Sequence, residues 1–132
     1  MYYTFANCMA LKKLDIHTWD TSDWAVTNNG GCFNSIYTLK ECLTPTSFNL
    51  TSSSSNNNVP NSWNLETFNG FTFYQNCSYS SSYKLTITSL VNIISHLPTL
   101  SSTKTITLGT VNKLKLTAEQ IAVATQKGWT VA

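Results

Sequence analysis

The stretch YTFANCMALKKLDIHTWD, Tyr3 to Asp20, sets Phe5, Cys8, Leu11 and Leu14 at every third place and then alternates through Leu14-Asp15-Ile16. Two chemistries compete for it. Cys8 with His17, Asp15 and Asp20 nearby would suit a nucleophile or metal site. An apolar residue at every third place before a short alternating strand suits one unit of a structural repeat. The sequence further on decides between them. Phe33, Ile36, Leu39 and Cys42 restate Phe5, Cys8, Leu11 and Leu14, all four at one and the same displacement along the chain. Tyr74-Gln75-Asn76-Cys77 echoes Phe5-Ala6-Asn7-Cys8, and Leu85-Thr86-Ile87 echoes Leu14-Asp15-Ile16. In this register Cys exchanges with Ile at one place and with Leu at another, which is how a small buried hydrophobe behaves. Cys8 is therefore expected in the core.

The C-terminal third has a clearer pattern. Lys84-Leu85-Thr86-Ile87 alternates as a strand does. From Ser89 the period changes, and Leu90, Val91, Ile93, Ile94 and Leu97 fall on one helical face before Pro98. Thr105-Ile106-Thr107-Leu108 alternates again and ends at Gly109. Thr117-Ala118-Glu119-Gln120 forms a capping box, Leu116, Ile121, Val123 and Ala124 give the second helix its apolar side, and Lys127-Gly128 suits its C-terminus. Trp129-Thr130-Val131 opens another extended segment. The predicted order is strand, helix, strand, helix, strand, with Ile87, Leu108 and Val131 almost evenly spaced. A strand–helix unit with a period of roughly 20–29 residues belongs to leucine-rich solenoids. A doubly wound sheet is the alternative, but the units are short for it and no Gly-rich phosphate loop follows a strand.

Composition narrows the function classes. The chain has 132 residues, enough for one domain with a real core. Only 11% of residues are charged, against ~25% in typical soluble domains, and Ser, Thr and Asn take their place. Such a surface suits an extracellular or virion-surface protein. The net charge of +2 comes from scattered lysines without any arginine, so the footprint of a nucleic-acid binder is missing. No apolar run is long enough to insert into a bilayer, and the N-terminus does not have the form of a secretory signal. Cys8, Cys32, Cys42 and Cys77 include no C-x-x-C pair; buried free thiols are the favoured state and two disulfides the alternative. The low-complexity run Thr51 to Asn58, closed by Val59-Pro60-Asn61-Ser62-Trp63, is expected to leave the repeats as a loop over 51–62.

Phe5, Asn7, Cys8, Leu11, Leu14, Asp15, Trp19, Asp20, Thr21 and Ser22 resemble, in register, the repeat of BspA-like leucine-rich-repeat surface proteins, with Met1 at the repeat's first Met. Later repeats are degenerate, Asn-Cys becoming Ser35-Ile36 and Ser80 to Ser82 enlarging the third. The segment from Leu85 to Ala132 is similar to a C-terminal cap found beside such repeats in bacterial surface proteins and phage tail or baseplate proteins. Its marks are Thr105 to Gly109, Leu116-Thr117, Ala122 to Thr125 and Lys127 to Thr130. The resemblance implies an α/β right-handed leucine-rich-repeat solenoid of short parallel strands. Repeats are expected over 1–87 and an α/β cap over 88–132. It also implies that Met1 falls inside a repeat, so a neighbouring segment or another chain is expected to cover that end. The implied role is a non-enzymatic recognition or attachment module contacting a protein or glycan on a bacterial surface. A cell-surface adhesin and a structural decoration protein of a virion are the alternatives.

Candidate chemistry is sparse, and no cofactor or metal is expected. His17 alternates away from the core, and His96 falls in the last turn of the first helix. Asp15, Asp20 and Asp23 suit turns better than a cation site, because no EF-hand loop is present. Asn49 and Asn76 match the glycosylation sequon, as expected by chance in a chain rich in Asn, Ser and Thr. Aromatics are more informative. Trp19 and Trp129 fit the repeat pattern and are expected to be structural. Trp24, Tyr37 and Trp63 lie beside polar turns and are the candidate ligand contacts.

Overall fold

The computed structural model describes residues 4–21, 33, 35–45, 49–50, 62–70, 72–73, 77–79 and 82–132. Its strands are β1 (Lys13–Asp15), β2 (Glu41–Leu43), β3 (Asn49–Leu50), β4 (Thr67–Asn69), β5 (Thr72–Phe73), β6 (Cys77–Ser78), β7 (Lys104–Thr107) and β8 (Trp129–Val131). The helices are α1 (Ile87–Ser95), α2 (Thr110–Lys113) and α3 (Ala118–Gln126). Among the described residues every strand pair is parallel, in sheets ordered β1-β2-β4, β3-β5 and β6-β7-β8. The chain is thus a mixed α/β protein of short parallel strands.

Register follows the apolar spacing. Leu14 stands opposite Cys42, as their equivalence in the sequence requires, and Cys42 opposite Phe68. These three form one buried row, because each is the middle residue of a short strand whose flanking side chains face outward. A tight turn precedes each strand of this sheet. Leu11 N–H donates to Cys8 O (3.0 Å), Leu39 to Ile36 O (3.1 Å) and Leu65 to Ser62 O (3.2 Å), and Leu85 repeats the bond to Ser82 O (3.3 Å). Leu39, Leu65 and Leu85 are fully buried. The sharp approach to the first two turns uses the left-handed conformation at equivalent places, Asn7 at φ 62° and Ser35 at φ 58°.

These turns relocate the third repeat. Leu85 is equivalent to Leu11, not to Leu14, and Cys77 belongs to a different sheet, opposite Ile106. The third unit is Ser62-Trp63-Asn64-Leu65-Glu66-Thr67-Phe68. The segment expected as a strand over Lys84–Ile87 instead leads into α1, with Thr86 as N-cap accepting from Ser89 N–H. A fourth strand is replaced by a side chain. The Ser89 hydroxyl accepts from Phe68 N–H (3.0 Å) and donates to Glu66 O (3.2 Å), which closes the edge of β4.

The C-terminal part keeps the predicted alternation with β6 in place of the misplaced first strand. α1 links β6 to β7, and α2 with α3 link β7 to β8. The capping box is present, with Gln120 N–H donating to Thr117 Oγ1 and Thr117 N–H to Gln120 Oε1. Gly128 takes φ 86° as the residue after the helix cap. Val91 and Val123, expected on apolar faces, are exposed, whereas Leu90, Ile93, Ile94, Leu97 and Ala124 are buried. α2 has no counterpart in the sequence reading. It brings Asn112, fully buried, to donate through Nδ2 to Ser82 O (2.7 Å) and Leu108 O (3.1 Å).

One hydrophobic core runs from Leu14 to Val131 and includes Trp129, whose Nε1–H donates to Pro98 O at 2.9 Å. Phe68 meets Tyr79 edge-on at 5.3 Å between centroids. Trp19, expected to be structural in the same way, is instead half exposed. Cys8 also departs from expectation: it is exposed, at the first position of its turn, where Ile36 is fully buried in the next. Cys42 and Cys77 are buried free thiols, and burial holds both well above the ordinary thiol range. Cys32 and the loop expected over 51–62, Ser62 excepted, lie outside the described residues.

Ser89→Ala should cost about 1–3 kcal/mol in urea unfolding, because it leaves the buried Phe68 N–H unpaired. In native thiol labelling, Cys8 should react while Cys42 and Cys77 stay protected until the chain unfolds. Labelling of Cys42 at the Cys8 rate would contradict the buried row.

Candidate functional site

The turn geometry determines which side chains reach solvent. In the turns beginning at Ile36, Ser62 and Ser82, the first and fourth residues are fully buried. The second residue points the other way. It is Tyr37, Trp63 and Tyr83 in turn, with 39%, 57% and 47% of their surface exposed. Met9 holds the same place in the turn at Cys8 and is exposed too. Tyr37 and Trp63 lie against each other, with ring centroids 5.6 Å apart and planes tilted by 31°. Two residues singled out from the sequence, far apart along the chain, are therefore neighbours. Trp24, the third, lies outside the described residues.

Side chains of adjacent turns hold the backbone under these rings. Thr38 Oγ1 reaches Met9 O (2.6 Å) and Leu11 O (3.0 Å), and Ser62 Oγ reaches Tyr37 O (2.8 Å) and Leu39 O (2.6 Å). Lys115 Nζ completes the series on Tyr83 O (3.0 Å) and Leu85 O (2.7 Å). Between the rings runs a polar row of third residues, Thr38, Asn64 and Lys84. Asn64 Nδ2 donates to Tyr37 O (3.2 Å), Lys84 Nζ donates to Asn64 Oδ1 (3.0 Å), and the ammonium stands 5.9 Å from the Tyr83 centroid. Carboxylates lie beyond this row and are engaged, Glu41 with Lys13 (3.0 Å) and Glu66 with Lys40 (3.8 Å).

Reading the sequence alone does not single out Tyr83 as a contact. The signal for it is present: Met9-Ala10-Leu11, Tyr37-Thr38-Leu39, Trp63-Asn64-Leu65 and Tyr83-Lys84-Leu85 share a large side chain two places before a leucine. The Asn76-Cys77 echo of Asn7-Cys8 draws the third unit to the wrong place and hides this row.

The other candidates stay apart. His17 Nδ1 pairs with Asp15 Oδ1, and this hydrogen bond holds the Asp15 carboxyl below its usual range. His96 Nδ1 donates to Asn92 O at 2.8 Å within its own helix end. Asp20 is exposed, and Asp23 is outside the described residues. Among the described residues no three His, Cys, Asp or Glu side chains converge as a metal site would require, and no helix is long and apolar enough to cross a membrane.

Removing an exposed ring should cost little stability. Trp63→Ala and Tyr83→Ala are expected to stay within about 0.5 kcal/mol of the parent in urea unfolding, plus the small Tyr37 stacking contribution for Trp63. Trp129→Ala, at a fully enclosed ring, should cost roughly 3–5 kcal/mol in the same measurement.

Comparison with known proteins finds no match to the chain: no family model fits it, and no curated protein or solved structure is significantly similar.

Proposed function

We propose that the chain is a right-handed leucine-rich-repeat solenoid with an α/β cap, serving as a non-enzymatic recognition or attachment module that contacts a bacterial surface. The observation that carries the recognition reading is the Tyr37–Trp63 pair. It consists of large, partly exposed rings at one repeated position, with the Tyr37 carbonyl held by the Ser62 hydroxyl of the next turn. Core packing would bury these rings. A contact surface keeps them out and rigid, since aromatic side chains provide wide contact area at low entropic cost. The low charge suits binding through shape and hydrogen bonds rather than long-range attraction. The solenoid reading is supported by the equal register of Leu14, Cys42 and Phe68 and by the recurring leucine turn. The setting, a phage tail or baseplate or a bacterial cell surface, is carried by the sequence resemblance of the first repeat and the cap.

A second reading, a structural decoration protein of a virion, draws on the opposite end. β1 pairs only with β2 among the described residues, and Cys8 is exposed beside the partly buried Phe5 and Leu11. A neighbouring segment or chain seated there would bury what the next turn buries at Ile36 and Leu39.

The test is binding of the fluorescently labelled chain to a panel of intact bacterial cells. Attachment to at least one strain is expected, falling at least about tenfold in the Tyr37→Ala/Trp63→Ala double variant. Failure to bind any strain, together with tight assembly on a purified virion, would favour decoration instead.

A further inference from the structure

We propose that the row Tyr37, Trp63 and Tyr83 is a platform for an oligosaccharide of neutral sugars, laid across the turns with successive sugar rings against successive aromatics. This rests on the attachment reading above and names the chemical class of what is bound.

The row has two repeating components. Each turn has one aromatic ring, and one place later a polar side chain: Tyr37 then Thr38, Trp63 then Asn64, Tyr83 then Lys84. A ligand that matches must repeat a flat C–H face beside a hydroxyl-bearing edge at a similar pitch. A pyranose chain does so. Its axial C–H groups carry partial positive charge and suit the negative face of an aromatic ring, while its equatorial hydroxyls reach sideways to the polar row. The pitch of the platform is set by the backbone. Parallel strands lie about 4.8 Å apart, and the Tyr37 and Trp63 centroids are 5.6 Å apart, of the same order as the advance per sugar in an extended chain.

Other ligands with flat faces fit less well. Stacked single-stranded nucleic acid needs a basic track for its phosphates. The turns 36–39, 62–65 and 82–85 hold Lys84 as their one cation, too few charges to follow a phosphate backbone. A protein partner would favour a continuous apolar centre with a polar rim, whereas here polar side chains sit beside every ring. The same turns hold no carboxylate, so nothing within them would attract a cationic peptide. The platform is also organised in advance. Ser62 and Lys115 fix the Tyr37 and Tyr83 carbonyls, so little backbone freedom is lost on binding.

Calorimetric titration with chito-oligosaccharides, cello-oligosaccharides and malto-oligosaccharides, in parallel with the cell-binding assay, tests this. The expected result is binding of at least one series, with affinity rising from disaccharide to tetrasaccharide. Trp63→Ala and Tyr83→Ala should each weaken it at least about tenfold, with Trp63→Phe retaining most of it and Leu114→Ala, at an exposed residue outside the row, unchanged. Melting curves that match the parent's keep the ring variants interpretable. If the chain attaches to cells but binds none of these sugars, the glycan assignment falls and the attachment reading stands. If sugars bind with equal affinity to Trp63→Ala and Tyr83→Ala, the row is not the site. Tighter binding of polyuridylate or of a proline-rich peptide through the same ring residues would overturn it as well. Absence of binding to both cells and sugars would overturn both readings.

Discussion

A carbonyl oxygen that accepts two hydrogen bonds from the next unit keeps the N-terminal sheet in register. Lys12 O accepts from the N–H groups of Lys40 (2.8 Å) and Glu41 (3.2 Å), and Lys40 O accepts from Glu66 (2.9 Å) and Thr67 (3.1 Å). Glu66 O takes Thr86 N–H (3.0 Å), and its second donor is the Ser89 hydroxyl (3.2 Å). Such short strands make few ladder bonds, so this junction between turn and strand carries much of the alignment. A slip by a single place would turn Leu14, Cys42 and Phe68 toward solvent. The same junction explains how the sheet ends. A serine on the first turn of a helix supplies, with one hydroxyl, the donor and the acceptor that another strand would have supplied. The sheet thus stops without an exposed ladder at β4.

The turns have a parallel logic on the other side of the buried leucines. In three of the four turns the pair of carbonyls is held by a side chain from further along the chain: a threonine at Met9 and Leu11, a serine at Tyr37 and Leu39, and at Tyr83 and Leu85 the ammonium of Lys115. The charged donor comes last, in the region where α2 has replaced another turn. There Asn112, enclosed and bonded to Ser82 O, brings the helix against the final turn. Lysine suits this place, because its three donors can satisfy Tyr83 O, Leu85 O and Asn112 Oδ1 together.

Much of this was legible from residue spacing. The common displacement that carries Phe5, Cys8, Leu11 and Leu14 onto their counterparts is the observed pairing of Leu14 with Cys42, and Phe5 stacks on Phe33 at 5.8 Å. The capping box and Gly128 marked α3 correctly, because caps are local chemistry. The third unit was not legible by the same rule, since chain outside the repeat pattern changes the spacing between turns and no fixed period survives. Alternation over Lys84 to Ile87 misled for a related reason: Leu85 is buried by its turn and Ile87 is half exposed at a helix start, so the pattern had two unrelated causes. α2, a single helical turn, has too few positions to show a period. The exposure of Cys8 is a matter of position in the array. Its register matches Ile36, which is fully buried, so the shared spacing alone does not distinguish the two environments.

The aromatic row shows why a site on such a scaffold is hard to see in sequence and easy to place in space. Tyr37, Trp63 and Tyr83 are widely and unequally separated along the chain, and nothing about each alone distinguishes a contact from a packing residue. What distinguishes them is the buried leucine two places on. Once Leu39, Leu65 and Leu85 point into the core from the same turn, the second residue of that turn has to point out. A polar or small residue would also serve there, because a ring with about half of its surface in water gains less from the hydrophobic effect than an enclosed one. Three successive turns carry Tyr, Trp and Tyr instead. The aliphatic residues that reach solvent elsewhere, such as Val111, Leu114 and Val123, belong to the helices and their caps and share no such position. The core therefore makes the row geometrically possible without requiring rings in it. That residual choice is what the proposed contact role accounts for.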